Sequence, residues 1–186
     1  MASGNHKKNV SLLVSDVEDE GSFFLSSSGH SDAKFGWKPT EPLTLQEAKQ
    51  YFLDIMSAEV LHTTALPNST IEEVYFSNGV TTGESADALR KRVGIAYGHA
   101  YFICPTIEFA EALYRSAPGT VQVYQWYYTA KMGSPKFCPT WAGACHSEDM
   151  YPMFGMALQK PNDYLPRERE ISEEVISAVK AFIRDG

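Results

Sequence analysis

Most of the chemistry open to this sequence lies in a few carboxylates and one histidine. Glu18, Asp19 and Glu20 crowd a single turn, Asp16-Val17-Glu18-Asp19-Glu20-Gly21, and far downstream His146 stands two residues before Glu148. A carboxylate that accepts one imidazole N–H fixes the tautomer whose other nitrogen can take a proton, and it stabilises the imidazolium that follows. Such a pair is general-base machinery for a hydroxyl nucleophile. On residue type alone Glu18, Asp19, Glu20 and Glu148 are alternatives for the acid, and a turn carboxylate is ordinarily solvated.

The remaining polar groups are less pointed. His62 and His99 lie on helix faces beside Leu61 and Ala100 and read as packing or solvent-contact residues. Cys104, Cys138 and Cys145 are an odd number, so at least one is free or pairs outside the chain. Cys138 and Cys145 could bracket a small disulfide loop or, with His146, offer metal ligands, but their spacing matches no standard zinc pattern and neither role is assigned. A cysteine nucleophile is a further alternative, although adjacent Cys145 and His146 are poorly placed to bond side chain to side chain.

The elements that must position these groups are few. Asn9 to Ser15 reads as a short buried strand, with Val10, Leu12, Leu13 and Val14 as its apolar run. Ser26 to Pro42, rich in Ser, Gly and Pro, reads as a loop. Thr44 with Glu47 has capping-box spacing ahead of a helix carrying Leu45, Ala48, Phe52, Ile55 and Met56 on one face, and Ser69 with Glu72 repeats the signature. Ser85 caps a longer helix with Leu89, Val93, Ala96 and Ala100 in line, where Gly94 and Gly98 weaken it or allow close backbone approach. Pro105 ends that helix or starts the next, Thr106 to Ser116, whose Ile107, Ala110, Leu113 and Tyr114 are expected inward. Thr120 to Thr129, almost all β-branched or aromatic, is a strand. A final helix is expected from a Ser172 cap, with Val175, Ile176, Val179, Phe182 and Ile183 as its stripe.

Two strands and about five helices leave too little sheet for the helices to cover, so the inventory reads as a piece of something larger. A chain of 186 residues with 44% hydrophobic and 12% aromatic content suffices for one domain with a core. A net charge of −7 and a pI near 5.2 argue against nucleic acid or an anionic membrane as partner. No apolar run is long enough to span a bilayer, and the start of the chain has no secretory leader pattern. Asn9-Val10-Ser11 and Asn68-Ser69-Thr70 are glycosylation sequons that matter if the protein is exported.

Three blocks carry a family likeness. They are Asp19-Glu20-Gly21-Ser22-Phe23-Phe24 after an apolar strand, Phe102-Ile103-Cys104-Pro105-Thr106-Ile107-Glu108-Phe109, and the histidine loop from Trp141 through Cys145-His146-Ser147-Glu148-Asp149 to Phe154-Gly155. In content and order the chain resembles the C-terminal portion of a type-B carboxylesterase of the cholinesterase-like family. The resemblance implies an α/β fold, the C-terminal part of an α/β-hydrolase with few strands, several helices and an incomplete sheet, over residues 1–186. It singles out Glu20 as the acid that orients His146, the general base of a serine esterase. The nucleophile elbow and oxyanion loop belong to the family's N-terminal half. Gly83-Glu84-Ser85-Ala86 imitates the elbow, but a polar turn, Ser77 to Thr82, precedes it and Asp87 replaces the second glycine.

The resemblance therefore implies a fragment of a serine carboxylic-ester hydrolase that is inactive alone, acting in the full-length protein on a small-molecule ester. A non-catalytic cholinesterase-like adhesion or binding protein is the alternative, and oligomer or protein partners stay open. No cofactor and no metal is called for. The family's setting implies a secreted or membrane-anchored glycoprotein, and Cys104 corresponds to a half-cystine whose partner lies at or beyond the end of this chain.

Overall fold

The computed structural model describes residues 9–27, 32–59, 68–76, 83–133 and 138–186. Its sheet has two parallel strands, β1 (Val10–Val17) and β2 (Val121–Tyr128), in register from Val10 against Val121 to Val17 against Tyr128. A parallel pair needs a long crossover. Here it consists of α1 (Glu20–Ser27), α2 (Asp32–Phe35), α3 (Leu45–Glu59), α4 (Asn68–Phe76), α5 (Ala86–Gly98), a π turn (His99–Ile103) and α6 (Cys104–Ser116). After β2 come α7 (Met150–Met153), α8 (Met156–Gln159) and α9 (Pro166–Asp185). Among the described residues no helix is long and apolar enough to cross a membrane.

The main core joins helices to the histidine loop. Leu25, Phe35, Phe52, Val93, Trp141 and Cys145 are buried in one cluster. In α3 the expected face is the buried one, with Ala48, Phe52, Ile55 and Met56 inside. Its capping box forms: Glu47 N–H donates to Thr44 Oγ1 at 3.2 Å and Thr44 N–H to Glu47 Oε2 at 2.8 Å. A second cluster, Val17, Tyr128, Ala144, Ile171 and Val175, seats α9 against the end of the sheet. Arg90 is buried because backbone oxygens satisfy it. Its guanidinium donates to Lys34 O at 2.5 Å and to Glu41 O, which fastens the 34–41 segment to α5.

Several sequence expectations need correction. The first strand runs two residues past Ser15, and only its Asp16 and Val17 end is fully buried. Glu20 opens a helix instead of closing a turn, because Gly21 lets α1 lie against α5. The Ser26 to Pro42 loop contains the last two residues of α1 and the short α2. In α6, Ala110 and Leu113 are inside but Ile107 and Tyr114 are exposed, since only one side of the helix meets the sheet. The last helix starts at Pro166, not at Ser172. Leu165 N–H is held by Glu168 at 2.8 Å, and Ser172 is a buried mid-helix residue beside Ile171, which with Val175 joins the cluster of Val17 and Tyr128. Its stripe accordingly begins at Ile171 and leaves Ile183 exposed. α4 begins at Asn68, ahead of the expected Ser69 cap. His62 and the Ser77 to Thr82 turn lie outside the described residues.

Ser85 is the N-cap of α5, its Oγ accepting from Ala88 N–H at 3.2 Å. Ser85→Ala should cost about 1 kcal/mol, the usual value of such a cap. Urea denaturation of the chain checks this, and an unchanged midpoint would show that the cap carries no stability.

Candidate active site

The register of the strands brings the acid and the histidine together. Past the Val17–Tyr128 pair, Glu18 N–H donates to Tyr128 O at 2.9 Å, and Asp19 N–H to Ala144 O at 2.8 Å. The stretch Ala144-Cys145 thus takes over from β2 beside the chain leaving β1, and Asp19 pairs in parallel with Cys145. One residue further along each stretch stand Glu20 and His146. Glu20 Oε2 is 2.5 Å from His146 Nδ1, while Oε1 accepts Val17 N–H at 2.9 Å. Both carboxylate oxygens are therefore engaged, and the side chain is 8% exposed.

The other three candidate acids are occupied elsewhere. Glu18 and Asp19 face Lys91 Nζ at 3.4 and 3.6 Å, and Asp19 Oδ2 also accepts the N–H of Gly143. Burial pushes the Asp19 carboxyl upward, opposed by Gly143 and Lys91. Gly143 is required here: a Cβ would come 2.6 Å from Glu18 Oε2 and 2.7 Å from Asp19 Oδ2. Glu148 lies under the loop and accepts Met132 N–H at 2.7 Å and Cys145 N–H at 3.1 Å.

Three aromatic rings line the imidazole. The centroids of Phe24, Phe102 and Phe23 lie 4.9, 5.1 and 6.4 Å from that of His146, and Phe24 stacks on Phe102 at 5.0 Å. Phe102 arrives from the π turn that interrupts the α5–α6 rod, a kind of bulge often found at functional sites. Periodicity missed this turn, because Gly98 and Pro105 mark a break without saying that the helix swells and continues. The imidazole keeps an exposed edge, its side chain being 33% accessible.

Cys138 and Cys145 are joined in a disulfide. That overturns the cysteine-nucleophile alternative and the metal alternative together, since neither sulfur is a thiolate. The paired count of two cysteines beside Trp141 was the available signal. Cys104 is free and exposed. His99 packs as expected, with its Nδ1 3.0 Å from Tyr75 Oη and its basicity lowered by burial.

The sequence matches the Carboxylesterase family over residues 1–186. The chain belongs to the carboxylesterase family. It is 25% identical over 186 residues to an acetylcholinesterase of Leptinotarsa decemlineata and 26% identical over 188 residues to one of Bungarus fasciatus, in each case over 100% of this chain. A bile salt-activated lipase of Mus musculus is 28% identical over 102 residues, 55% of this chain and 17% of the lipase. The chain spans 28% of the length of the two acetylcholinesterases. Carboxylesterase membership implies an α/β-hydrolase, and a mostly helical chain with an open two-stranded sheet is consistent with part of one.

In this member of the carboxylesterase family one buried carboxyl bears directly on stability. Burial pushes Glu148 from 4.5 up to about 7, against the donors Met132 and Cys145 and the charge of Lys131. Between those two values the folded chain keeps a proton that the unfolded chain has lost, so stability falls as pH rises. The contribution is whole below about pH 4.5 and gone above about 7, on the order of 3 kcal/mol in all. His99, with its lowered value, acts in the opposite sense up to its ordinary 6.5. The wild-type advantage over Glu148→Gln should therefore shrink steadily from about pH 4.5 to about 7.5 in urea melts. A constant difference would refute the assignment.

Proposed function

We propose that this chain supplies the acid and the general base of a serine carboxylic-ester hydrolase, Glu20 and His146, and that residues 1–186 form a C-terminal portion whose serine nucleophile comes from further sequence. The observation that carries the reading is the 2.5 Å contact between Glu20 Oε2 and His146 Nδ1. An ionised carboxylate there holds the proton on Nδ1 and leaves Nε2 to remove the serine proton and return it to the departing alcohol. Among the described residues Nε2 has no hydrogen-bond partner, and the edge that carries it is partly open. Phe23, Phe24 and Phe102 lower the local dielectric and strengthen the pairing.

A covalent acyl step needs both a nucleophile and donors for the oxyanion. Ser85, the one serine in elbow-like sequence, is engaged as a helix cap. The 186-residue chain should therefore leave p-nitrophenyl acetate at its background rate. Joined to the coding sequence upstream, it should hydrolyse that ester with a burst that a serine-directed phosphorylating reagent abolishes. Serine-type turnover by the chain alone would overturn the division of the triad. An upstream segment without a Gly-x-Ser-x-Gly elbow, and no turnover by the joined protein, would turn the assignment toward a binding protein.

A further inference from the structure

One buried carboxylate beneath the histidine loop has no part in the acid–base scheme, yet it holds the residue next to His146. Glu148 is 0% exposed. Its Oε1 accepts the N–H of Met132, on the segment that follows β2, at 2.7 Å. Its Oε2 accepts the N–H of Cys145 at 3.1 Å, and its own N–H donates to Cys145 O at 2.9 Å. Both polar groups of residue 145 are thus tied to residue 148, and the side chain of 145 is tied to Cys138. His146 sits inside this closed turn, where Ser147 takes a positive φ of 69°.

We propose that Glu148 is a positioning residue for His146, fixing the imidazole against Glu20 by clamping the backbone on both sides of the histidine and anchoring it to the segment after β2. This rests on the reading of Glu20 and His146 as acid and base. Loss of the clamp frees Cys145 to shift, and a 2.5 Å contact one residue away tolerates little displacement.

The chemistry of the carboxyl fits such a clamp. Oε2 lies 3.1 Å from Cys138 Sγ, which as half of a disulfide has no hydrogen to give. A protonated carboxyl can direct its O–H to that sulfur while its carbonyl oxygen accepts from Met132; an ionised one sets a negative charge against sulfur lone pairs. The groups facing it are Tyr128 at the end of β2, Lys131 after it and Glu168 of α9, with Asp149 beyond Tyr128, and of these only Lys131 offsets a negative charge. The Met132 and Cys145 donors favour the ionised form, so both amides should sense the titration of this carboxyl near about 7.

The test uses proton and nitrogen NMR of the chain, labelled at histidine and uniformly in the backbone. In the wild type the Nδ1 proton of His146 should give a downfield signal, lost in Glu20→Gln. In Glu148→Gln the same signal should broaden away or move upfield although Glu20 is intact, because the amide group cannot accept from both Met132 and Cys145. Unchanged signal and unchanged His146 titration in a folded Glu148→Gln would overturn the proposal. Should that variant not fold, the wild type alone decides: the Met132 and Cys145 amides should titrate together near pH about 7, with the Nδ1 proton following the same midpoint. Independence of the Nδ1 proton from that midpoint counts against Glu148. Survival of the downfield signal in Glu20→Gln overturns the acid–histidine reading itself, and so separates the two failures.

Discussion

On the proposed assignment, His146→Ala in the full-length protein should lower kcat for an ester by roughly 10⁶, and Glu20→Gln by roughly 10⁴, with stability little changed. The glutamine variant is the more telling of the two, because the structure dictates which way the amide must face. Position 20 has two obligations: one oxygen accepts Val17 N–H at 2.9 Å and the other meets His146 Nδ1 at 2.5 Å. Only the amide oxygen of glutamine can serve Val17. Its NH₂ must then point at Nδ1, which forces the imidazole proton onto Nε2, the nitrogen that has to be empty to receive the serine proton. Reversing the amide would set N–H against N–H at a buried site. Steady-state turnover of a p-nitrophenyl ester measures the effect, with thermal melting as the folding control. Activity within tenfold of wild type in Glu20→Gln would remove Glu20 from the mechanism.

Gly21→Ala should be among the most damaging single-methyl changes in the chain. α1 meets α5 almost backbone to backbone: a Cβ at residue 21 would lie 2.6 Å from Gly98 N and 2.8 Å from Tyr97 Cβ, besides striking Gly94 O. Gly98 answers from the other side, where a Cβ would lie 2.9 Å from Gly21 N and 3.0 Å from Glu20 Cβ. These neighbours are mostly backbone and cannot rotate away, so the helices must part. Overpacking of this kind costs about 3 kcal/mol or somewhat more, which for a chain of this size lowers Tm by roughly 6–12 °C. The displacement also carries Glu20 away from His146, so activity of the full-length protein should fall further than the fraction unfolded explains. A Gly21→Ala variant that melts within a degree or two of wild type would show that α1 and α5 can separate without cost.

What the sequence made legible follows from where the physics is local. β2 was readable because Val121 to Tyr128 is an unbroken β-branched and aromatic run, and α3 because Thr44, Glu47 and the stripe through Phe52 agree on one helix. The acid–histidine pair was legible only through the family blocks. Composition of the turn could not rank Glu20 above Glu18 and Asp19, since the choice is made by a long-range parallel pairing of Asp19 with Cys145. The start of α9 was misplaced for a different reason. Pro166 with Glu168 two positions on is a start signal, but Ser172 is also a cap residue type, and only burial beside Ile171 places it inside the helix. Glu148 was counted as a rival acid because burial, which gives it another task, is not written in its neighbours.

The two-stranded sheet has a practical corollary. Among the described residues each strand keeps one rim of amides and carbonyls without a neighbour, and Tyr124 and Tyr127 add aromatic surface exposed at 44% and 49%. Bare rims of this kind are templates for another copy of the same molecule. In the isolated chain association should grow steeply with crowding in the tube, so that dilution, more than cooling, preserves a usable preparation.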